Sequence, residues 1–186
     1  MTTLYLPKNR SKHIVDLDVF DEDKNPILKV TGTVGHKMDV LYVYDLNYNE
    51  LARIRQTTTG LLPRFQLLHD DNYVASFSFN LGPLSDIIYI SHLNWIVTGE
   101  IAAGKYRIRY GTKKLLNVSP VDLPDGTFNQ LEITLDNQTS VHVAIVALLD
   151  SWSAIKNPEW INNLLKRRKP KFKMAFGRNE NFSELL

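Results

Sequence analysis

Basic residues recur at every second position in one stretch of the sequence, where their charges could bind an anion. Lys105, Arg107 and Arg109 are separated by apolar residues, and Lys113 and Lys114 follow shortly after them. Alternation of period two is typical of a β-strand with one buried face, so the first three cations are expected on one outward face. The five residues predict an anion-binding surface, and a solvated strand face is the alternative interpretation.

A second basic cluster lies in the C-terminal part of the sequence. Residues 166–186 contain seven of the 22 Lys and Arg and two of the 20 Asp and Glu, so they carry +5 and residues 1–165 sum to −3. Asn157 is a suitable N-cap for an amphipathic helix with Trp160 and Leu164 on one face. This extension could meet anionic lipid or dock on a protein surface. Its candidate anion-binding residues are Lys166, Arg167, Arg168, Lys169, Lys171 and Lys173.

The sequence has only an incomplete match to one catalytic motif. Residues 99–106 have the spacing of a phosphate-binding loop, but Tyr106 stands where Ser or Thr would bind magnesium, so we interpret them as a hairpin connection. The absence of Cys excludes disulfide scaffolds, zinc–thiolate sites and cysteine nucleophiles. The five His are scattered, and no nucleophile-elbow or dinucleotide motif is present. The sequence therefore predicts a protein without enzymatic activity, metal site or cofactor.

Two turn sequences form a weak repeat 24 residues apart. Asp21 begins DEDKNPIL, and Asp45 begins DLNYNELA. A calcium loop of the EF-hand type needs Gly at its sixth position, where this sequence has Pro26 and Glu50. We interpret both as hairpin turns, because Asp and Asn side chains bond to their own backbone.

Period-two alternation predicts twelve strands in a mostly antiparallel sheet. Proline cannot donate to a sheet ladder, so the prolines up to Pro124 are expected at strand ends or between strands. The expected strands are about 3–6, 13–20, 26–33, 38–44, 50–56, 64–69, 73–79, 86–91, 95–100, 105–110, 113–118 and 128–135.

The pattern changes at residues 139–152, which are apolar nearly all round and predict a helix surrounded by protein. A thirteenth strand is the alternative, because the segment contains β-branched residues. His142 is expected in the core with a hydrogen bond to a backbone carbonyl or water, and a pH-sensitive role is the alternative. The predicted fold is mainly β, a closed twelve-stranded antiparallel barrel that encloses this helix, with a short basic helical extension.

The sequence also resembles a known family. The segments that carry the resemblance are LYVYDLNYNELARIRQ, LLPRFQLLHDDNYVASFSF and VHVAIVALLDSW. They resemble the LURP-one-related family of the tubby-like superfamily, which includes tubby C-terminal domains and phospholipid scramblases. The resemblance covers about residues 3–152 and implies a twelve-stranded barrel around a hydrophobic helix. Lys24 and Tyr48 stand in turns where the family often has Gly, and the lipidated Cys-rich segments of scramblases have no counterpart.

The resemblance and the charge pattern lead to one functional hypothesis. Residues 1–153 are expected to form the barrel, and residues 154–186 the extension. We expect a cytoplasmic, non-enzymatic binding or regulatory module that meets an anionic membrane surface, because no signal peptide or membrane span is recognised. The alternatives are a barrel that binds a small ligand, or protein assembly and self-association through residues 157–176. Nucleic-acid binding ranks lower.

Overall fold

The alternating apolar residues form twelve antiparallel strands, as predicted. The structure is a computed structural model, and it describes residues 1–9, 11, 13–59, 62–79, 87–134 and 138–156. The strands are β1 Thr2–Pro7, β2 Ile14–Phe20, β3 Pro26–Thr33, β4 Val40–Tyr44, β5 Glu50–Gln56, β6 Arg64–His69, β7 Asn72–Ser78, β8 Ile87–Ile90, β9 Trp95–Glu100, β10 Lys105–Tyr110, β11 Lys113–Leu123 and β12 Gly126–Ile133.

The strands close into a barrel in a simple order. Except for β7 and β8, each strand pairs with its neighbours in the sequence. The first and last strands, β1 and β12, pair through six positions, from Thr2↔Ile133 to Pro7↔Phe128. The remaining two strands, β7 and β8, meet at one bridge. There the backbone N–H of Ser91 donates to the carbonyl oxygen of Ser76 at 2.9 Å, and the Ser91 hydroxyl donates to the same oxygen at 2.7 Å. The predicted closed antiparallel barrel is confirmed.

The segment predicted as a buried helix is helix α1, Thr139–Lys156, so the alternative of a thirteenth strand is wrong. Every side chain from 141 to 149 is buried. The helix packs against β3, β4 and β5, and its Trp152 ring contacts Phe65 and Phe79. It ends four residues later than position 152, so residues 154–156 belong to the helix rather than to an extension. Among the described residues, no helix has both the length and the apolar character that crossing a membrane requires.

One strand departs clearly from its predicted bounds. β11 extends to Leu123, so Pro120 lies inside a strand instead of between strands. The pairing explains this, because β10 pairs with β11 only as far as Tyr106↔Val118. Beyond Val118, β11 pairs with β12 alone among the described strands, and its other edge has no partner strand in that part of the chain. A proline, which lacks the N–H group, is tolerated at such an edge.

The two repeated turn sequences have the same structure, which confirms their interpretation as hairpin turns. One oxygen of Asp21 accepts the backbone N–H groups of Asp23 and Asn25 at 2.9 and 2.8 Å. Asp45 accepts the corresponding groups two and four residues ahead, both at 2.8 Å. The hydrogen bonds stabilise left-handed backbone at Lys24, with φ of 64°, and at Tyr48, with φ of 62°. Two non-glycine residues thus occupy positions that usually favour glycine.

The stretch that resembles a phosphate-binding loop is a strand connection. β9 ends at Glu100, a short 3-10 helix covers Ile101–Ala103, and β10 begins at Lys105. Gly104 takes a left-handed conformation with φ of 71°, and its N–H donates to the carbonyl oxygen of Ile101 at 3.0 Å. The predicted hairpin connection is confirmed, because a strand follows where a phosphate-binding loop requires a helix.

Candidate functional site

Strand β10 presents its three cations on the outside of the barrel. Tyr106 and Ile108 point inward and are buried, whereas Lys105 and Arg107 are exposed and Arg109 is half-buried. The buried and exposed residues alternate along the strand, as predicted from the sequence. The barrel wall therefore orients Lys105, Arg107 and Arg109 toward solvent.

The next strand adds two cations beside them. The register between β10 and β11 shifts between Ile108 and Arg109, and this irregularity places Lys114 directly opposite Arg109. Lys113 lies opposite Tyr110 at the end of the hairpin. Like charges on directly opposed strand residues destabilise a sheet. An anion bound between Arg109 and Lys114 would remove that repulsion.

No carboxylate neutralises these five cations directly. Within the described residues, none of them lies within 4.0 Å of an Asp or Glu oxygen. Glu100 pairs in register with Lys105, and Glu132 accepts a hydrogen bond from Asn117 Nδ2 at 3.1 Å. One side of the Arg109 guanidinium has a partner, because Nη2 donates to the carbonyl oxygen of Thr112 at 3.5 Å. Arg109 remains partly exposed on the outer surface, opposite Lys114.

Apolar side chains lie next to the cations on the same outer surface. Ile87 and Tyr89 of β8 are 49% and 53% exposed, and Ile96 of β9 is 38% exposed. The register places Tyr89, Ile96 and Arg109 in one row across three strands. Ile87 lies in the row of Arg107. We call these seven residues the β8–β11 face: Ile87, Tyr89, Ile96, Lys105, Arg107, Arg109 and Lys114. Lys113 is exposed at the end of the hairpin but lies in the row of Tyr110 and the inward Trp95, so it is not part of this face.

The apolar residues of this face were not among the site residues predicted from the sequence. Its signal is visible in β8, whose sequence Ile-Ile-Tyr-Ile has no polar residue at either alternating position. A strand that is apolar on both faces is either covered on both or leaves apolar groups in water. Here Ile88 and Ile90 fill the core, and Ile87 and Tyr89 remain outside.

A pocket borders the β8–β11 face where the barrel closes. It has a volume of about 430 Å³ and lies between β7 and β8, which are joined only at Ser76 and Ser91 within the described residues. Arg64, Ser78 and the two bridging serines provide a guanidinium group and hydroxyl groups. These groups are suited to bind phosphate oxygens. Ile87 and Tyr89 form the apolar wall that the pocket shares with the face.

Strand β5 also has two outward arginines, Arg53 and Arg55, and the environment of Arg53 is different. Arg53 Nη1 lies 2.6 Å from Glu50 Oε1, and its Nη2 lies 2.7 Å from Asp71 Oδ1. The hydrogen bond that Arg53 donates to Asp71, with the one it donates to Glu50, raises the pKa of the Arg53 guanidinium. Arg53 is therefore already neutralised by its own chain.

One Ser-His-Asp arrangement resembles a hydrolase triad but lacks its geometry. Ser140 Oγ lies 3.5 Å from Nδ1 of His69, and Asp70 lies 3.6 Å from the Nε2 atom. The same Nδ1 lies 2.6 Å from the carbonyl oxygen of Leu51, which can only accept a hydrogen bond. Nδ1 therefore carries the proton and cannot act as a base for Ser140. The contacts instead attach the start of α1 to β5 and β6.

His142 is buried within the barrel, as predicted. Neither ring nitrogen has a hydrogen-bond partner among the described residues. The ring stacks on Trp95 with centroids 4.8 Å apart. Burial lowers the pKa of His142 to about 4, because the charged ring would lose its hydration. The backbone of Gln138 favours the protonated ring and so opposes this shift in part. His142 is neutral at physiological pH.

The other predicted site residues lie outside the described part of the chain. These are the basic residues of the extension, Lys166, Arg167, Arg168, Lys169, Lys171 and Lys173. Among the residues that the structure describes, no three His, Asp or Glu side chains converge as a metal site would require.

Comparisons with known proteins agree with the fold. No family model matches the chain. The uncharacterized protein YxjI of Bacillus subtilis is 25% identical over 132 residues, which cover 71% of this chain and 82% of that protein. An X-ray structure of a protein from Arabidopsis thaliana superimposes with a TM-score of 0.54 at 12% identity, covering 80% of this chain and 90% of the other. This likeness shows that the chain shares its barrel fold with that plant protein.

Proposed function

We propose that the protein is a non-enzymatic module that binds anionic phospholipid headgroups through the β8–β11 face. The observation that carries the proposal is the row of Tyr89, Ile96 and Arg109, which continues to Lys114 on the outside of the barrel. Exposed apolar groups beside unpaired cations combine the two interactions that attach proteins to an anionic membrane surface.

The dimensions of the face suit this function. Neighbouring strands lie ~4.8 Å apart, so the distance from β8 to β11 is about 14 Å. Each Lys or Arg near an anionic membrane surface contributes about 1 kcal/mol. Ile87, Tyr89 and Ile96 could insert between headgroups while the Arg and Lys side chains contact phosphate. The pocket with Arg64 and three serines could hold one headgroup at the border of the face.

We also propose that the protein belongs to the LURP-one-related family of tubby-like proteins. A twelve-stranded barrel around a hydrophobic helix is compatible with a tubby-like protein of the LURP-one-related type. Together with the lipid-binding face, it supports a peripheral location on the cytoplasmic surface of a membrane. The basic residues 166–173 would add to the attraction. The absence of catalytic function is supported by the orientation of His69, which cannot activate Ser140.

The alternative of a ligand inside the barrel is weaker. A ligand in the lumen requires open space, and α1 occupies it with buried side chains from Val141 to Leu149. The alternative of assembly through residues 157–176 lies outside the described residues.

Vesicle flotation tests the proposal. The full chain is mixed at low salt with vesicles of phosphatidylcholine, with or without added phosphatidylserine. We expect flotation only with phosphatidylserine, and a loss of binding as salt increases. The double variant Arg107→Gln/Arg109→Gln should weaken binding by about 2 kcal/mol, or roughly 30-fold, if each Arg contributes its usual share.

A matched variant controls for net charge. Lys24→Gln/Lys37→Gln removes the same charge from the β2–β3 and β3–β4 connections, outside the β8–β11 face, and should bind nearly as the unmodified chain does. Equal weakening by both double variants would mean that net charge alone drives binding. No flotation of the unmodified chain at low salt would refute the proposal.

A further inference from the structure

The first two strands separate after one paired position. β1 and β2 pair at Tyr5↔Phe20, whereas β1 pairs with β12 along its whole length. Beyond that position, the turn after β2 approaches the turn between β11 and β12, where Lys24 Nζ lies 3.3 Å from Asp125 Oδ2. A pocket of about 440 Å³ lies between the two turns. Its volume is in the range of small-molecule binding sites.

Three aromatic rings from three strands line this pocket. Tyr5, Phe20 and Phe128 are half-buried and alternate with inward residues such as Leu6 and Val19, so they lie on the outside of the barrel. The centroids of Phe20 and Phe128 are 6.4 Å apart, and the rings meet edge to face at 75°. The face of an aromatic ring carries partial negative charge and attracts cations.

The rim of the pocket is acidic. Asp21, Glu22 and Asp125 line it, and Lys24 offsets Asp125 by their ion pair. The N–H of Asn25 donates to Asp21 and keeps the pKa of that carboxyl below its usual value, so Asp21 is ionised at neutral pH. Glu22 is exposed and makes no ion pair within the described residues. Glu22 is thus available to contact a cationic ligand, while Asp21, whose two oxygens already accept hydrogen bonds within its turn, contributes negative charge to the rim.

We propose that this pocket binds the quaternary ammonium group of a choline-like cation. The methyl groups of such a cation are apolar and fit against Tyr5, Phe20 and Phe128, while its charge faces the rings and the acidic rim. A simple ammonium ion is strongly hydrated and would gain less from the rings. The site is distinct from the β8–β11 face, which is basic and attracts the opposite charge.

Titration of the full chain with choline chloride, followed by calorimetry and NMR, tests the proposal. Choline should bind saturably and shift the ring signals of Tyr5, Phe20 and Phe128. The neutral isostere of choline, in which carbon replaces the nitrogen, should bind at least about fivefold more weakly, because it lacks the charge. Equal binding of both compounds, or no shift of the ring signals, would overturn the proposal.

Two variants with matched controls locate the site. Phe20→Leu keeps apolar volume without a ring and should weaken choline binding about fivefold. Glu22→Gln, at an exposed turn position where folding is not at risk, should weaken it about threefold. Tyr42→Leu and Asp23→Asn alter an aromatic residue and an acid that do not line the pocket, and both should bind choline unchanged. Unchanged binding by Phe20→Leu and Glu22→Gln would contradict the proposal.

The source of the cation is decided by competition. Phosphatidylcholine vesicles that displace choline would identify the ligand as a lipid headgroup. Vesicles that fail to displace choline would identify a free solute, with the same chemistry in the pocket.

Discussion

Strands β5 and β10 contain the same tripeptide, Arg-Ile-Arg, at residues 53–55 and 107–109. In both strands the isoleucine points into the core, where Ile54 is 1% exposed and Ile108 is 0% exposed. In both, the arginines point outward. The outer surroundings differ, because Arg53 contacts Glu50 and Asp71, whereas Arg109 lies beside Lys114.

The difference shows that residues on neighbouring strands and turns determine whether an outward cation forms an ion pair or remains available to a ligand. On β5, Glu50 of the same strand and Asp71 in the turn after β6 pair with Arg53, and these contacts stabilise the barrel. Lys29 on β3 is used in the same way, since its Nζ lies 3.0 Å from Asp16 and 3.5 Å from Asp18. On β10, the charges have no such partner among the described residues and remain available to a ligand.

The largest expected effect tests whether the two strands are equivalent inside the barrel. Ile54→Ala and Ile108→Ala each leave a cavity in the core and should lower the free energy of unfolding by about 3 kcal/mol. Urea denaturation measures both values. A loss below about 1 kcal/mol for either variant would contradict the view that Ile54 and Ile108 are equivalent core residues, because that isoleucine could then not be tightly packed.

The next largest effect is a pH dependence of stability caused by His142. This residue lies on the side of the helix that faces β9, where its ring stacks on Trp95. The pKa of His142 is about 4 in the folded protein and 6.5 for the unperturbed side chain. The unfolded chain therefore binds the proton more strongly, and stability falls as the pH decreases from 6.5 toward 4. The total loss should reach about 3 kcal/mol, with about 2 kcal/mol lost between about pH 7 and pH 5.

The variant His142→Phe isolates this contribution. It keeps a ring against Trp95, removes two buried nitrogens that meet hydrogen-bond geometry with no described residue, and should raise stability at neutral pH by about 1 kcal/mol. Urea denaturation at several pH values measures the difference between the two proteins. Parallel pH profiles for both would show that His142 does not titrate on unfolding and would contradict the prediction.

The smallest effect addresses the outer faces directly. Arg53→Gln removes two ion pairs and should destabilise the protein by about 1 kcal/mol, because the Arg53 side chain is only 19% exposed. Arg107→Gln should change stability by less than about 0.5 kcal/mol, since no carboxylate is paired with it. Thermal unfolding of the two single variants compares them. Equal losses would mean that Arg107 also has a structural partner.

Much of the fold could be predicted because the barrel wall separates apolar and polar residues in a simple way. Alternation along segments such as 105–110 identified the strands, and the uniformly apolar segment around Ile145 identified the enclosed helix. The prediction that Pro120 lies at a strand end or between strands was wrong. A proline is tolerated inside β11 because β10 stops pairing before it, and no local sequence pattern shows where that pairing stops.

The candidate site was only partly predictable for a similar reason. Its cations are visible in the sequence, but Arg53 and Arg107 have the same local sequence and differ only in their neighbours across strands. Ile87 and Ile96 come close to Arg107 and Arg109 through the register of three strands. The pocket with Tyr5 and Phe128 depends on β1 and β12, which are far apart in the sequence.

The position of α1 in the chain also sets the order in which the protein can be assembled. The helix follows all twelve strands in the sequence and lies inside the barrel that they form. During synthesis, the ring of strands must therefore stay open until the ribosome has made the helix, because a completed wall would exclude it. β7 and β8 stand at the two ends of the strand order and meet at the bridge between Ser76 and Ser91, so contact between these two strands is the step that completes the wall.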